Sequence, residues 1–263
     1  MTIQESRQQK SFNVLLIGDS CIDEYKIGSV DRLSPEAPVP VLKILETKYV
    51  PGMSDNVKHN LENLGITPDY VTNPKKIVKT RFIDNRSGQH ILRVDNEPIL
   101  PTWRGKTPRS LDIYDLVIIS DYNKGFLTYD LIAKIISSVT CPVFIDTKKT
   151  QLEDISASHV YIKINELEYK NARSFPSNLI VTLGDKGAFY KNVNSEILIP
   201  SKKVEVVDVC GCGDTFLAAI ATRFLFTNDI KESIIFANTA AAITVQHRGN
   251  YAPTLAEIRN AGH

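Results

Sequence analysis

The sequence predicts an α/β fold in which helices cover both faces of an open, mostly parallel sheet. Two observations lead to this prediction: short apolar, β-branched segments alternate with segments of helical periodicity, and polar residues follow most of the apolar segments. Apolar runs of this length are typical of strands that are buried on both faces. The predicted parallel strands are residues 12–18, 116–120, 142–146, 159–163 and 178–183.

Helical patterns lie between these strands and after the last of them. The alternation predicts βαβ units with right-handed crossovers, and ligands of such sheets bind beyond the carboxyl ends of the strands. The polar residues at those ends are Gly18-Asp19, Ser120-Asp121, Asp146-Thr147, Asn165 and Gly184-Asp185. The predicted helices are residues 56–64, 128–138, 166–173, 214–226 and 231–246, with a short helix from Thr254.

Two stretches interrupt the alternation and predict antiparallel strands. Residues 39–45 follow a turn-rich segment, and residues 79–84 and 90–95 flank the loop 85–89, which contains a glycine and is typical of a hairpin. We expect a small β lid beside the main sheet, formed from residues of about 25–46 and 77–96. No linker divides the sequence, so residues 1–263 are expected to form one domain.

Composition narrows the class of function. The chain of 263 residues is 43% hydrophobic, and 31 Lys and Arg residues balance 30 Asp and Glu residues, so nothing indicates a nucleic-acid partner. The N-terminus lacks the apolar core of a signal peptide, and no run approaches a membrane span, so a cytoplasmic protein is expected. The four cysteines do not have metal-ligand spacing.

Residues 208–216, with the sequence Asp-Val-Cys-Gly-Cys-Gly-Asp-Thr-Phe, place a glycine-rich turn directly before a predicted helix. Glycines allow backbone N–H groups to converge, and the positive end of the helix dipole favours a phosphate or a developing oxyanion. Asp214 would repel that phosphate unless it accepts a proton from the hydroxyl that attacks it. The same carboxylate could serve as an ordinary helix cap, and the segment alone favours the cap.

The chain resembles the ribokinase-like carbohydrate kinases of the PfkB family over nearly its whole length. This family has a three-layer α/β/α sandwich with a mostly parallel sheet and a small β lid. Residues 32–40, with the sequence Arg-Leu-Ser-Pro-Glu-Ala-Pro-Val-Pro, are most similar to the heptose 7-phosphate kinase branch. The remaining matching motifs lie in residues 16–25, 51–57, 79–81, 92–95, 120–125, 165–168, 181–187 and 208–216.

The resemblance implies a role for each matching residue. It makes Asp214 the general base, and it makes the N–H groups of Gly211, Cys212 and Gly213 an anion hole. The implied nucleotide-binding residues are Asn165, Glu168, Thr182, Gly184, Gly187 and Asn238. Asn165 and Glu168 would also position Mg²⁺ through water, although these two residues by themselves favour helix capping by Asn165 with a solvated Glu168. The implied substrate-binding residues are Asp23, Gly52, Asn56, Arg81, Asp121 and Lys124.

The implied reaction is transfer of the γ-phosphate of ATP to a sugar or sugar-phosphate hydroxyl, with Mg²⁺ and in some members a monovalent cation such as K⁺. A heptose 7-phosphate is the implied acceptor, and a homodimer through the lid is the implied assembly. A hydrolase based on Gly18-Asp19-Ser20 lacks a suitably spaced Asp-x-x-His element, and P-loop and dinucleotide motifs are absent from the sequence.

Several positions depart from the family pattern. Met53, Ser54 and Asp55 stand where a glycine and small residues are usual, and Cys210 and Cys212 replace threonine and alanine. The segment between residues 70 and 76 is shorter than in the family by about a strand and a helix. These departures keep open an alternative function, a catalytically impaired regulator that binds sugar or nucleotide on the same fold.

Overall fold

The computed structural model describes residues 12–262. Within this range there are twelve strands and six α-helices. The strands are β1 (Val14–Gly18), β2 (Ser20–Leu33), β3 (Pro40–Met53), β4 (Asp69–Thr72), β5 (Ile77–Asp84), β6 (His90–Asn96), β7 (Leu116–Asp121), β8 (Val143–Thr147), β9 (Val160–Asn165), β10 (Asn178–Thr182), β11 (Ala188–Asn192) and β12 (Glu196–Ile199). The helices are α1 (Ser54–Asn63), α2 (Tyr129–Ser137), α3 (Glu166–Asn171), α4 (Cys212–Thr227), α5 (Ile230–Thr244) and α6 (Leu255–Ala261).

The main sheet has eight strands in the order β12-β11-β10-β9-β8-β7-β1-β4. All neighbours from β10 to β4 are parallel, whereas β11 and β12 are antiparallel additions at one edge. The five predicted parallel strands are confirmed. Sequence analysis missed β4, β11 and β12, because these short strands at or next to the sheet edges mix polar and apolar residues and carry no continuous apolar run.

Alternate residues of the central strands face two separate hydrophobic clusters. In β1, Val14 and Leu16 pack into the cluster that contains α1, α4, α5 and α6 residues, while Leu15 and Ile17 pack into the cluster that contains α2 residues. Successive strand side chains point to opposite faces, so one buried strand contributes to both clusters. The result is the predicted three-layer arrangement of helices on both faces of the sheet.

The lid is a separate four-stranded sheet in the order β3-β2-β5-β6. Its strands β2 and β3 are 14 residues each, much longer than the strand predicted at residues 39–45. The chain leaves the main sheet at Asp19, the single residue between β1 and β2, whose N–H donates to the Ser120 carbonyl at 3.0 Å. This turn places the base of the lid directly over the carboxyl end of β1.

The predicted helices are confirmed with small shifts in their ends. The helix predicted from residue 56 begins at Ser54, and the helix predicted from residue 214 begins at Cys212. Neither α1 nor α4 has a side-chain cap, because the preceding residues Met53 and Gly211 have no side-chain oxygen to accept a bond; their φ angles are positive, at 57° and 74°. None of the helices within residues 12–262 combines the length and apolar character needed to cross a bilayer.

Phe144 tests the contact between β8 and α4. Its side chain is fully buried, and its ring lies 4.9 Å from the Tyr161 ring and 5.3 Å from the Phe224 ring. We expect Phe144→Ala to lower the free energy of unfolding by about 3–5 kcal/mol, because the cavity it leaves cannot collapse. Leu198→Ala, at a side chain that is 54% exposed, is the control and should change it by less than about 1 kcal/mol. Urea unfolding measures both, and equal effects would contradict this assignment of the core.

Candidate active site

Asp214 lies in the first turn of α4 and is only 5% exposed. Its Oδ2 accepts a hydrogen bond from Nδ2 of Asn56 at 2.9 Å, and its Oδ1 accepts one from the Tyr122 hydroxyl at 2.7 Å. Burial raises the pKa of Asp214 to about 6, against the lowering effect of these two donors. The carboxylate is therefore ionised at neutral pH and close to the pKa that suits a general base.

The start of α4 depends on two glycines. Gly211 has a φ of 74°, and a Cβ at this position would lie 2.7 Å from Nδ2 of Asn56 and 2.9 Å from Oδ1 of Asn250. A Cβ on Gly213 would lie 3.1 Å from the ammonium nitrogen of Lys163. Both glycines therefore allow polar side chains to approach the helix start closely. The Cys212 N–H points to the Val209 carbonyl at a long 3.4 Å.

Two cavities open on either side of this helix start. The large cavity has a volume of about 800 Å³ and includes Cys212 and Gly213 in its lining, while the small cavity, of about 170 Å³, includes Gly211 and Asp214. A group in the large cavity and a group in the small cavity would meet at the N-terminus of α4. The geometry suits transfer of an anionic group between two bound molecules, with a carboxylate on the receiving side.

Most of the predicted nucleotide-binding residues line the large cavity. Gly187 has a φ of 95°, and a Cβ there would lie 2.2 Å from the Ile199 carbonyl oxygen. Asn238 donates to that same carbonyl at 3.0 Å, which ties α5 to the loop after β12. The predicted residues in the lining are Asn165, Thr182, Gly184, Gly187 and Asn238; Glu168 is not part of it.

Asn165 and Glu168 form a reciprocal capping box at the start of α3. The Asn165 side chain accepts from the Glu168 N–H, and the Glu168 carboxylate accepts from the Asn165 N–H, each at 2.8 Å. Glu168 also pairs with Lys148. The helix-capping interpretation is therefore present in the structure, and a metal role would be additional to it.

No group of three or more His, Cys, Asp or Glu side chains within residues 12–262 could hold a metal ion directly. Mg²⁺ keeps most of its waters and is usually held by phosphates with one or two carboxylates. The donor set of Asn165 and Glu168 fits a hydrated ion of this kind and does not fit a protein-only metal cage.

The small cavity lies between the lid and the main sheet. Asp23 of β2 pairs with Arg81 of β5 at 2.5 Å, and both side chains are nearly buried. Gly52 gives Asp23 its space, since a Cβ there would lie 2.4 Å from the Asp23 carboxylate and 2.6 Å from the Cys21 sulfur. Asp23 and Arg81 line the small cavity, as a substrate-binding role requires.

Three other predicted substrate residues lie elsewhere. The Asn56 amide donates to Asp214, so this residue supports the carboxylate from behind. Asp121 is 1% exposed, accepts from Thr147 at 2.6 Å and pairs with Lys149 at 3.1 Å. Lys124 pairs with Glu97 at 2.5 Å and is not part of the small cavity's lining.

Sequence analysis missed four residues that the fold brings to the site. Lys79 and Arg93 of the lid line the small cavity, and Tyr122 bonds to Asp214. Lys163 lies beside Gly213, is 4% exposed and pairs with Asp146 at 2.6 Å. Burial acts to lower the pKa of Lys163, but the Asp146 carboxylate raises it, and the pKa is above its ordinary value overall. Lys79, Arg93 and Tyr122 lie in the matching motifs 79–81, 92–95 and 120–125, but neither these motifs nor the alternation along residues 79–93 could show which side chains meet the cavity.

Some of the residues that depart from the family pattern line the two cavities, and others do not. Met53 lines the small cavity, where its bulk limits the space for an acceptor. The Asp55 carboxylate instead accepts from the Tyr70 hydroxyl at 2.7 Å, and burial raises its pKa. Cys210 lines the small cavity and Cys212 lines the large one. The shortened segment between residues 70 and 76 comprises the end of β4, which pairs with β1, and the short connection to β5.

Comparisons with solved structures give the class. Ribokinase from Thermotoga maritima is 20% identical with a TM-score of 0.73, and the match covers 95% of this chain and 99% of that one. Phosphofructokinase-2 from Escherichia coli, solved in complex with potassium, is 14% identical with a TM-score of 0.73, covering 96% and 98%. These likenesses show a ribokinase-like fold. The carboxylate and the glycines at the start of α4 lie within this fold.

Sequence comparisons show which proteins the chain resembles. Residues 127–257 match the pfkB family of carbohydrate kinases. The bifunctional protein HldE of a Nitratiruptor species is 31% identical over 93% of this chain, and the bifunctional protein HldE of Haemophilus influenzae (strain PittEE) is 28% identical over 99%. The chain spans 64% and 65% of the length of these two relatives. Residues 127–257 therefore resemble the pfkB carbohydrate kinases.

The raised pKa of Asp214 predicts that this carboxylate destabilises the folded state at neutral pH. Its pKa rises from 3.8 to about 6, so the folded state binds the proton more tightly, and stability falls as pH rises from about 4 to 6. Asp214→Asn removes the buried charge and should raise the free energy of unfolding at pH 7.5 by on the order of 2–3 kcal/mol. Urea unfolding at pH 7.5 and 4.5 measures this gain, which should shrink at the lower pH.

Asp208→Asn is the control, and we expect it to change the free energy of unfolding in the opposite direction from Asp214→Asn. The Asp208 carboxylate accepts from the N–H groups of Cys210 at 3.0 Å and Gly249 at 2.9 Å. Although burial acts to raise its pKa, these bonds lower it overall, so Asp208→Asn should lose stability at pH 7.5. A loss of stability in both variants at pH 7.5 would contradict the unfavourable burial of Asp214.

Proposed function

We propose that this chain transfers the γ-phosphate of ATP to a hydroxyl of a sugar phosphate in a single in-line step. The observation that carries the proposal is the position of Asp214. This residue lines the small cavity, and the start of α4 on which it lies separates the small cavity from the large cavity. ATP in the large cavity would present its terminal phosphate to α4, and the acceptor in the small cavity would present a hydroxyl to Asp214.

Asp214 acts as the base in this proposal. Asn56 and Tyr122 hold its two oxygens, and each oxygen keeps a second lone pair for the acceptor hydroxyl. A carboxylate with a pKa of about 6 is ionised at pH 7 and can accept the proton as the oxygen–phosphorus bond forms. The proton then resides on Asp214 until the product leaves.

The transferring phosphoryl group would meet positive charge from the protein. The N-terminus of α4 contributes its free N–H groups, and Lys163 places an ammonium beside Gly213. Mg²⁺, positioned through waters by Asn165 and Glu168, would neutralise charge on the phosphates of ATP. We also propose a supporting monovalent cation for this chain, since the similar phosphofructokinase-2 was solved in complex with potassium.

The lid favours an acceptor that carries its own phosphate. Lys79, Arg81 and Arg93 line the small cavity, and Asp23 is the one lid carboxylate among its lining residues. Arginine and lysine side chains in this arrangement are suited to phosphate recognition. The resemblance of residues 32–40 to the heptose branch, together with relatives named HldE, makes a heptose 7-phosphate our proposed acceptor.

A regulator that binds sugar or nucleotide without turnover is the second candidate. Met53 favours it, because its side chain takes up space in the small cavity of about 170 Å³. The Asp55 carboxylate no longer argues for it, since this group bonds to Tyr70 and is not part of the cavity lining. A preserved, ionised Asp214 favours the kinase, because binding alone does not need a base.

We also propose that the protein acts in the cytoplasm as a homodimer formed through the lid. The lid exposes an unusual number of large apolar side chains for strands that face solvent. A second copy of the same sheet would cover them symmetrically. These side chains are Leu33, Val39, Ile44, Leu45, Tyr49, Leu92 and Val94.

The kinase proposal predicts acceptor-dependent release of ADP that requires Asp214. Wild type with ATP, Mg²⁺ and a panel of sugars and sugar phosphates, heptose 7-phosphate included, should turn over at least one acceptor. Asp214→Asn should lower kcat by about 10²–10⁴-fold, because it removes the base. Asp69→Asn is the matched control, since Asp69 also accepts from a tyrosine hydroxyl, that of Tyr114 at 2.8 Å. Nucleotide binding without turnover of any acceptor would favour the regulator.

The phosphate-recognition proposal predicts a selective effect at Lys79. Lys79→Met should raise KM for a phosphorylated acceptor by about tenfold or more while leaving KM for its unphosphorylated analogue nearly unchanged, because only the former loses an ionic contact. Lys48→Met, at a lid lysine that is 56% exposed and pairs with Glu46, is the control. An equal rise in KM for both acceptors would contradict a phosphate-binding role.

A further inference from the structure

Tyr122 and Asn56 donate hydrogen bonds to different oxygens of the Asp214 carboxylate. Its hydroxyl donates to Oδ1 at 2.7 Å while Asn56 donates to Oδ2 at 2.9 Å, so the carboxylate is fixed from two sides. Burial first, and then the Asp214 charge, raise the pKa of Tyr122 well above its ordinary value. Tyr122 therefore keeps its proton at every pH of interest and acts as a permanent donor.

Tyr122 is itself held by the main chain and by charges around its ring. Its N–H donates to Oδ2 of Asp19 at 2.8 Å, and the N–H of Lys124 approaches the same oxygen at 3.3 Å. Asp19 is fully buried at the end of β1. The ammonium groups of Lys79 and Lys148 lie 5.9 Å and 5.4 Å from the centre of the Tyr122 ring.

These contacts place Tyr122 where lid and main sheet meet. Lys79 belongs to the lid and lines the small cavity, whereas Lys148 follows β8 and pairs with Glu168 beside α3. Both cations contact the π-face of a tyrosine favourably. The ring thus lies between the proposed acceptor side and the proposed phosphate side, with its hydroxyl on the base.

We propose that Tyr122 is a positioning residue whose hydroxyl fixes the orientation of the Asp214 carboxylate, and that Asp19 fixes Tyr122 through its backbone. The inference rests on the proposed function for its effect on turnover. The contact itself can be tested without turnover.

The charges that face Asp214 set the direction of the expected effect. Asp146 of β8 raises the pKa of Asp214, and Lys163 of β9 lowers it. The thiols of Cys21 and Cys212 also interact with this carboxylate. Across the small cavity lie Asp23, Lys79, Arg81 and Arg93. Removal of the Tyr122 hydroxyl leaves all of these in place and deletes one donor to the charged form, so the pKa of Asp214 should rise.

Tyr122→Phe tests the proposal, since it removes the hydroxyl and keeps the ring. We expect kcat at pH 7 to fall about tenfold to hundredfold with KM for ATP nearly unchanged, because a misplaced base slows chemistry more than binding. The acid limb of the kcat profile should move to higher pH. The Asp214 carboxyl resonance, observed by ¹³C NMR of aspartate-labelled protein and assigned with Asp214→Asn, should titrate about one unit higher than in wild type.

Tyr114→Phe is the matched control, because Tyr114 donates to a different aspartate, Asp69, at a nearly equal 2.8 Å. It should leave the acid limb and the Asp214 titration unchanged. Site-specific incorporation of 3-fluorotyrosine at position 122 makes the hydroxyl a stronger donor while it preserves the packing, and the Asp214 titration should then move to lower pH.

An Asp214 titration that is the same in wild type, Tyr122→Phe and the fluorinated protein would overturn the proposal. The proposal would also be overturned if Tyr122→Phe changed the Asp214 titration but left kcat and the acid limb of its pH profile unchanged. The hydrogen bond from Tyr122 to Asp214 would then not serve the reaction. If wild type turns over no acceptor, the proposed kinase function fails, while the NMR titration still decides whether Tyr122 positions Asp214.

Discussion

The burial of one carboxylate at a helix start is the constraint on which the rest of the site depends. Asp214 is 5% exposed, and an ionised carboxylate at that depth is unfavourable unless donors surround it. Asn56 from α1 and Tyr122 from the loop after β7 supply those donors. Three separate elements must therefore be placed correctly before a single charged group can be ionised at neutral pH.

Glycine is required at three positions near the site because other elements approach the backbone closely there, and chain flexibility is a weaker explanation. At Gly211 and Gly213 a Cβ would lie 2.7 Å from the Asn56 amide and 3.1 Å from the Lys163 ammonium. At Gly52 it would lie 2.4 Å from the Asp23 carboxylate. Each glycine gives space to a charged or polar side chain of another element. Backbone conformation adds a second reason only at Gly211, where φ is 74°.

Most charges around the site are arranged in ion pairs, and Asp214 is one of the exceptions. Asp146 pairs with Lys163, Asp23 pairs with Arg81, and Asp121 pairs with Lys149. Asp214 has hydrogen-bond donors but no ion-pair partner within 4.0 Å among residues 12–262. Burial therefore dominates its pKa, which is why this carboxylate can accept a proton near pH 6. The same unfavourable burial makes the site costly to stability, as is common for reactive groups.

The sequence alone determined the sandwich, the lid and the glycine-rich turn that precedes the helix at residues 208–216. Apolar runs of strand length predicted β1, β7, β8, β9 and β10, because strands buried on both faces need continuous apolar sequence. It did not determine β4, β11 and β12, whose mixed sequences have no such signal, nor whether Asn56 faces a sugar or the base. Only the tertiary structure brought Tyr122, Lys79, Arg93 and Lys163 close to Asp214. Contacts between residues far apart in the chain depend on the register of paired strands, on the connections between strands and on the angles at which helices pack on the sheet. The composition of a segment does not encode those quantities.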